Sequence, residues 1–288
     1  MKTVKVMVAI PSMGPTPVES YCNHLTNFMH LGKLEEQGAL LEAFIKSLKK
    51  RMSIEEVAEV VNEVQQDRPF YSLSTSGSRF EFYFAVIGRI FTPVARDQAS
   101  KMALKQGCDY LFMFDDDMIN PDDLFEKLYA HDVDIVAPLA FTRNYPHNPV
   151  LYSCIDGYDA LARKEYFQNY VVKNYPKNQL VECDAVGFGA VLIKTSVLKR
   201  LQEASGGSDK WFMSTCGTGE DIYFCYKAKK AGFRVFMDTA TKLGHISHPL
   251  IVTEEYVETQ RKSEQPDFDK IHPVYDKYAK PSVCVLGD

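Results

Sequence analysis

The stretch YLFMFDDDMINPDD, Tyr110 to Asp123, constrains this chain more than any other. A largely apolar run leads straight into Asp115, Asp116 and Asp117. Such a run, bounded by turn signals, reads as a buried strand. Three adjacent carboxylates at its end repel one another, so a cation is expected beside them. Side chains alternate along a strand, which puts Asp115 and Asp117 on one face and Asp116 on the other. In open α/β sheets ligands sit at the carboxyl ends of strands. Paired carboxylates there make a hard oxygen site suited to Mg2+ or Mn2+, which would bridge to a diphosphate. The plainer reading, acids complementing the next helix, fits Asp122 and Asp123 better than the triplet.

Around this stretch, strands alternate with helices. VKVMVAIP (Val4 to Pro11) reads as a first strand, and a helix is expected from Val18 to about His30. Two amphipathic stretches then form an expected helical insertion at about 31–68, with Ser53 and Glu56 as a capping box for the second. The aromatic stretch RPFYSLSTSGSRFEFYFAV predicts strands with a turn at Ser76-Gly77. TPVARDQASKMALKQG and PDDLFEKLYAHD predict helices, each with Pro near its start. VDIVAPLAF predicts a strand, and Thr142 to about Gln179 an irregular stretch rich in Asn, Tyr and Pro. LVECDAVGFGAVLIKTSVLKRL predicts strand, Gly turn, strand and helix. STCGTGEDIYFCYKAKKAG predicts a loop and a helix, FRVFMD a strand, and TKLGHISHP a loop. The tail, 251–288, is polar with one helix near Glu254 to Lys262. This alternation predicts an α/β fold with a mostly parallel central sheet flanked by helices.

Composition narrows the partners. The chain has 288 residues and a net charge of -5, against the basic balance of proteins devoted to nucleic-acid backbone. Its 7 cysteines form no CxxC pair, which favours reduced thiols and a cytoplasmic location over a disulfide framework. The N-terminus alternates like a strand rather than a signal peptide. No apolar stretch reaches the length of a membrane span.

Two more pieces carry chemistry. Glu220 and Asp221 follow a Gly-containing loop at a helix start. A carboxylate held there can take a proton from an incoming hydroxyl. His245 follows Gly244 in GHISH, and a neutral imidazole suits a carboxylate-bound Mn2+ as a further ligand.

In this order VAIPS, VARDQASKMALKQGCDYLFMFDDDM, DAVGFGAVLIKTSVLKRL and GTGEDIYFCYKAKKAGFRVFMDTATKLGH resemble the GT-A glycosyltransferases, especially the family 2-like group. The resemblance spans most of residues 1–250. It implies a metal-dependent transferase that moves a sugar from a nucleoside-diphosphate sugar (UDP- or GDP-sugar) to an acceptor hydroxyl. It makes DDD the DxD motif: Asp117 a direct ligand of Mn2+ or Mg2+, with Asp115 on the metal or the ribose. Asp116 joins the donor site, and Pro11 and Ser12 line the nucleoside. Arg96 is the basic position near the donor, and Gly187 to Gly189 the turn beneath the donor sugar. Asp221, beside Glu220, becomes the general base of an inverting reaction, and His245 the C-terminal metal ligand.

The sequence departs from that pattern in its helical insertion and in lacking a clear base-reading acid, where STSGSRFE offers Glu81 instead. A retaining route, a nucleotidyltransferase of the same fold and a non-catalytic binding module remain alternatives. The segment PSMGPTPVES lacks the basic, Gly-rich loop that nucleotidyl transfer usually uses. For the acceptor, Trp211 and Phe212 could stack on a sugar face or close the core edge. The acceptor is left open among a saccharide, a glycoconjugate or another hydroxyl compound, and the acidic net charge disfavours nucleic acid.

Overall fold

The computed structural model describes residues 3–12, 71–74, 79–88, 90–159, 164–214, 218–247, 250–263 and 283–285. The expected helix from Val18, the helical insertion and the turn at Ser76-Gly77 lie outside them.

An eight-stranded sheet forms the centre, in the order β2-β3-β1-β4-β11-β6-β12-β9. Its strands are β1 (Val4–Ser12), β2 (Tyr71–Ser74), β3 (Phe80–Gly88), β4 (Tyr110–Phe114), β6 (Ile135–Leu139), β9 (Leu180–Cys183), β11 (Ala190–Lys194) and β12 (Val235–Lys242). β1 lies parallel to β3 and β4, and β6 parallel to β12. β11 runs antiparallel to both β4 and β6, as do β2 on β3 and β9 on β12. The sheet is therefore mixed rather than mostly parallel. The reason is local: the Gly187–Gly189 turn delivers β11 at the carboxyl end of β4, with Ala190 opposite Phe114, so it can only run back.

The strands are apolar on both faces because both are covered. Along β4, Leu111 and Met113 join one buried cluster and Phe112 and Phe114 the other. On the first face lie α1 (Thr92–Lys105), α3 (Thr195–Ala204) and α4 (Glu220–Lys230). Ala95, Ala99 and Ala103 recur every four residues of α1 and are fully buried, so small side chains let that helix sit close to the sheet. On the other face α2 (Leu124–Ala130) brings Phe125 edge-on to Phe82, with ring centroids 5.2 Å apart. Each such buried ring contributes about 1.5–3 kcal/mol over its exposed state.

Two smaller sheets frame the carboxyl end. In one, β7 (Leu151–Asp159) and β8 (Lys164–Val171) pair antiparallel between β10 (Ala185–Val186) and β15 (Val283–Val285). Much of the stretch expected to be irregular is thus a hairpin. In the other, β13 (Gly244–Ser247) lies between β14 (Leu250–Val252) and β5 (Met118–Ile119). GHIS, expected in a loop, is a strand because its backbone pairs with the segment just after the aspartates. A final helix, α5 (Glu254–Ser263), matches the expected tail helix, its buried Glu254 bound by Tyr175, Lys177 and Lys242.

Candidate active site

The aspartate triplet leaves β4 and enters β5 within three residues, and its backbone is fastened at both ends. The Asp115 N–H donates to Gly189 O at 2.9 Å, and the Ile246 N–H donates to Asp117 O at 2.9 Å. The first bond ties the triplet to the turn before β11. The second ties it to β13, whose His245 stands opposite Met118. Asp117 and His245, 128 residues apart, are thereby brought together.

His245 Nδ1 lies 2.6 Å from Phe141 O. A carbonyl oxygen only accepts, so Nδ1 carries a proton. Nε2 faces Asp117 Oδ2 at 3.3 Å. A proton on Nε2 makes this contact a hydrogen bond, and a metal cation could take that proton's place between the two. Arg143 Nη1 reaches the same oxygen at 3.0 Å. Burial pushes the Asp117 carboxyl up, but His245 and Arg143 outweigh it and hold the group below the usual carboxylate range.

Beneath the triplet lies Arg96, its side chain only 3% exposed. It donates from Nη2 to Asp115 Oδ1 at 2.8 Å and from Nη1 to Glu220 Oε1 at 2.6 Å. A further bond runs from Nη2 to Phe188 O at 3.3 Å, and the guanidinium sits 5.3 Å from the Phe188 ring centre. Its Nε is buried with no protein partner. Arg96, expected as the basic position near the donor, is closed in and engaged by two carboxylates, which it holds in place. Burial pushes Asp115 up to about 6 against the pull of Arg96, with the charges of Asp117 and Asp221 adding to the rise.

Phe188 is the hinge between the two halves of the site. While its carbonyl serves Arg96, its N–H donates to Asp221 Oδ2 at 3.3 Å. Asp221 Oδ1 accepts from the Ile222 N–H at 2.8 Å. Burial, then the charge of Glu220, raise the Asp221 pKa despite Arg96 and these two N–H groups. A carboxylate with a raised pKa at a helix N-terminus is a stronger base than an ordinary aspartate. The glycines flanking Phe188 allow close approach. A Cβ on Gly187 would stand 2.7 Å from Val150 Cβ, and one on Gly189 3.0 Å from Met118 Cε.

The other expected residues divide. Pro11 and Ser12 lie just beyond the last β1–β4 pair, Ala9 with Met113, at the same sheet end as Asp115. Asp116 is half-buried between its neighbours. Trp211 and Phe212 are 1% and 3% exposed, so of the two alternatives they close the core edge rather than stack on an acceptor. Both backbone N–H groups donate to Asp97 Oδ1, at 2.8 and 2.9 Å, and the indole N–H donates to Leu198 O at 2.8 Å. Phe212 stacks on Phe224 and meets the Phe188 ring edge-on, so it supports the site from below.

Sequence reasoning missed Phe188 as the shared anchor and Arg143 as a partner of Asp117. It also missed Tyr152, whose phenol is raised by burial and by the Asp221 charge. No short-range pattern marks them, because each acts on residues distant in sequence.

A divalent cation fits Asp117 and His245 by donor chemistry. One carboxylate oxygen and one imidazole nitrogen, on a ring oriented by Phe141 O, suit Mn2+ or Mg2+ sites that take their remaining ligands from substrate phosphates and water. Among the described residues no cluster of three or more His, Cys, Asp or Glu is set to hold a metal. Asp115, expected on the metal or the ribose, has its Oδ1 engaged by Arg96 at 2.8 Å.

No family model matches the sequence, and no curated protein matches it. Solved structures do. A197 from STIV superposes with a TM-score of 0.47 at 15% identity, covering 87% of this chain and 94% of that one. The nucleoside-diphosphate-sugar pyrophosphorylase from Vibrio cholerae RC9 gives 0.37 at 12% identity, over 80% and 90%. GalNAc-T7, solved with UDP, GalNAc and Mn2+, gives 0.41 at 13% identity, over 85% of this chain and 44% of that one. Superpositions this loose leave the chemistry to be argued from the residues themselves. No described helix is long and apolar enough to cross a membrane.

Proposed function

We propose that this chain is a metal-dependent glycosyltransferase. It moves a sugar from a nucleoside-diphosphate donor to an acceptor hydroxyl, with inversion and with Asp221 as general base. The observation that carries this reading is the convergence of Asp117 Oδ2 and His245 Nε2, 3.3 Å apart, which sets one carboxylate oxygen beside one imidazole nitrogen as donors suited to a divalent cation. The pair stands at the end of β4, beside the Gly187–Gly189 turn that holds a raised carboxylate at Asp221.

A bound Mn2+ or Mg2+ would neutralise the diphosphate as it departs. The chain's own residues do the rest. Asp221 accepts the acceptor proton while the acceptor oxygen attacks the anomeric carbon. The bond from that carbon to the diphosphate oxygen breaks as the new glycosidic bond forms. Arg96 holds Glu220 and Asp115 in place, so the base and the aspartate triplet keep their spacing. Pro11 and Ser12 border the nucleoside, and the Gly187–Gly189 turn lies beneath the sugar.

The test is calorimetric binding of UDP- and GDP-sugars with and without Mn2+, together with release of UDP or GDP. Asp117→Ala is expected to abolish metal-dependent donor binding. Asp221→Asn is expected to keep donor binding and lose turnover at least about a hundredfold. Failure of the native protein to bind any nucleotide with any divalent metal would overturn the reading.

A further inference from the structure

Two arginines approach the aspartate triplet, and they differ in kind. Arg96 is enclosed and committed. Arg143 is more open: its side chain is 57% exposed, while Nη1 lies 3.0 Å from Asp117 Oδ2. Its backbone is firmly placed. Ser247 Oγ donates to Arg143 O at 3.2 Å, from the strand that carries His245. Next to it the Thr142 N–H donates to Asn148 O at 2.9 Å, the Asn148 N–H to Thr142 Oγ1 at 3.1 Å, and the His147 N–H to Asn144 O at 2.9 Å. Arg143 is therefore a solvent-exposed cationic arm on a hydrogen-bonded shoulder.

One carboxylate oxygen faces both this arm and His245 Nε2. An oxygen bound to a divalent cation at roughly 2.0–2.2 Å leaves no place for a guanidinium beside it without like-charge repulsion. A guanidinium released there would find diphosphate oxygens, which its planar fork matches in two parallel bonds. Building on the glycosyltransferase reading, we propose that Arg143 is an exchangeable counter-cation. It neutralises Asp117 in the metal-free protein, yields that oxygen to the incoming divalent ion, and then grips the donor diphosphate. Metal alone would then bind against competition, and metal with nucleotide would bind cooperatively. An empty site would be guarded against stray cations.

The test is calorimetric titration of the native protein, Arg143→Gln, Arg143→Lys and the remote control Lys199→Gln. Mn2+ is titrated first without nucleotide. Arg143→Gln is expected to bind it about two- to fivefold tighter, the scale of one partly exposed ion pair. Arg143→Lys and Lys199→Gln are expected to match the native protein. UDP and GDP are then titrated at saturating Mn2+. Both Arg143 variants are expected to lose about tenfold or more in affinity, as a charged bidentate contact is removed. Unchanged or weaker Mn2+ binding by Arg143→Gln overturns the exchange, as does unchanged nucleotide affinity. A native protein that binds Mn2+ and nucleotide while Arg143→Gln gains nothing for Mn2+ refutes this inference alone. A native protein that binds neither refutes the glycosyltransferase reading with it.

Discussion

Replacing Arg96 by Met keeps the bulk of the side chain and removes its charge. The two carboxylates that face it would lose their partner. Glu220 is 15% exposed and Asp115 32%, so neither can recover full hydration. Breaking a buried ion pair by removing one member costs about 3–5 kcal/mol. Water can reach part of Asp115, which moves the expected loss to the lower end, about 3 kcal/mol. At roughly 2 °C per kcal/mol for a chain of this size, the midpoint should fall by about 6 °C. Trp211, the single tryptophan, is buried, so its fluorescence reports unfolding in urea. A second variant separates charge from packing: Arg96→Met with Asp115→Asn and Glu220→Gln leaves no stranded charge and should regain most of the loss. A single variant within about 1 kcal/mol of the native protein would refute this account. So would a triple variant no more stable than the single one.

Gly187→Ala should cost about 1–3 kcal/mol, since the new Cβ meets Val150 Cβ at 2.7 Å. Adding Val150→Ala removes the two methyls at 3.1 Å but not that Cβ, so thermal melts should show only partial recovery. Asp238 supplies a pH prediction. Burial pushes its carboxyl up, but Thr241, His131 and the Ala240 N–H outweigh it and hold it below the usual range. A depressed folded pKa adds stability above the unfolded value of about 3.9 and loses it as pH falls through the folded value. Melting temperature followed from pH 6 down to 2 should therefore drop less steeply for Asp238→Asn than for the native protein. Parallel acid limbs for the two would contradict the assignment.

What could be read in advance was whatever the chain encodes within a few residues. Tyr110 to Phe114 announces a buried strand because it is apolar and meets three acids at once, and the structure makes it β4. Thr92–Lys105 and Glu220–Lys230 are helices where Pro93, Gly107 and Gly232 punctuate them. The hairpin of β7 and β8 was hidden because its Tyr, Asn and Gln residues read as loop, and pairing of Tyr152 with Val171 is a long-range property. Trp211 shows the same limit. An aromatic near a reactive motif carries no mark of whether it points inward. Here Asp97, 114 residues before Trp211, and Leu198 O on the preceding helix decide it. His245 became a strand residue for a like reason, since its partner strand is β5. Sequence could nominate Asp117 and His245 separately, whereas their 3.3 Å contact and the grip of Phe141 O needed the fold.

The position of β11 has a consequence for how the chain comes into being. It inserts between β4 and β6, although it is synthesised after both. Until it emerges from the ribosome, β4 and β6 each present a bare edge, and both strands are almost wholly apolar. Exposed apolar edges are the surfaces on which nascent chains stick to one another. The same late strand begins one residue after Gly189, whose carbonyl receives the Asp115 N–H. Translation therefore makes the aspartates long before it makes their setting. Premature termination ahead of residue 190 would yield a fragment carrying the triplet on an unsealed sheet, prone to aggregate and unable to assemble the site.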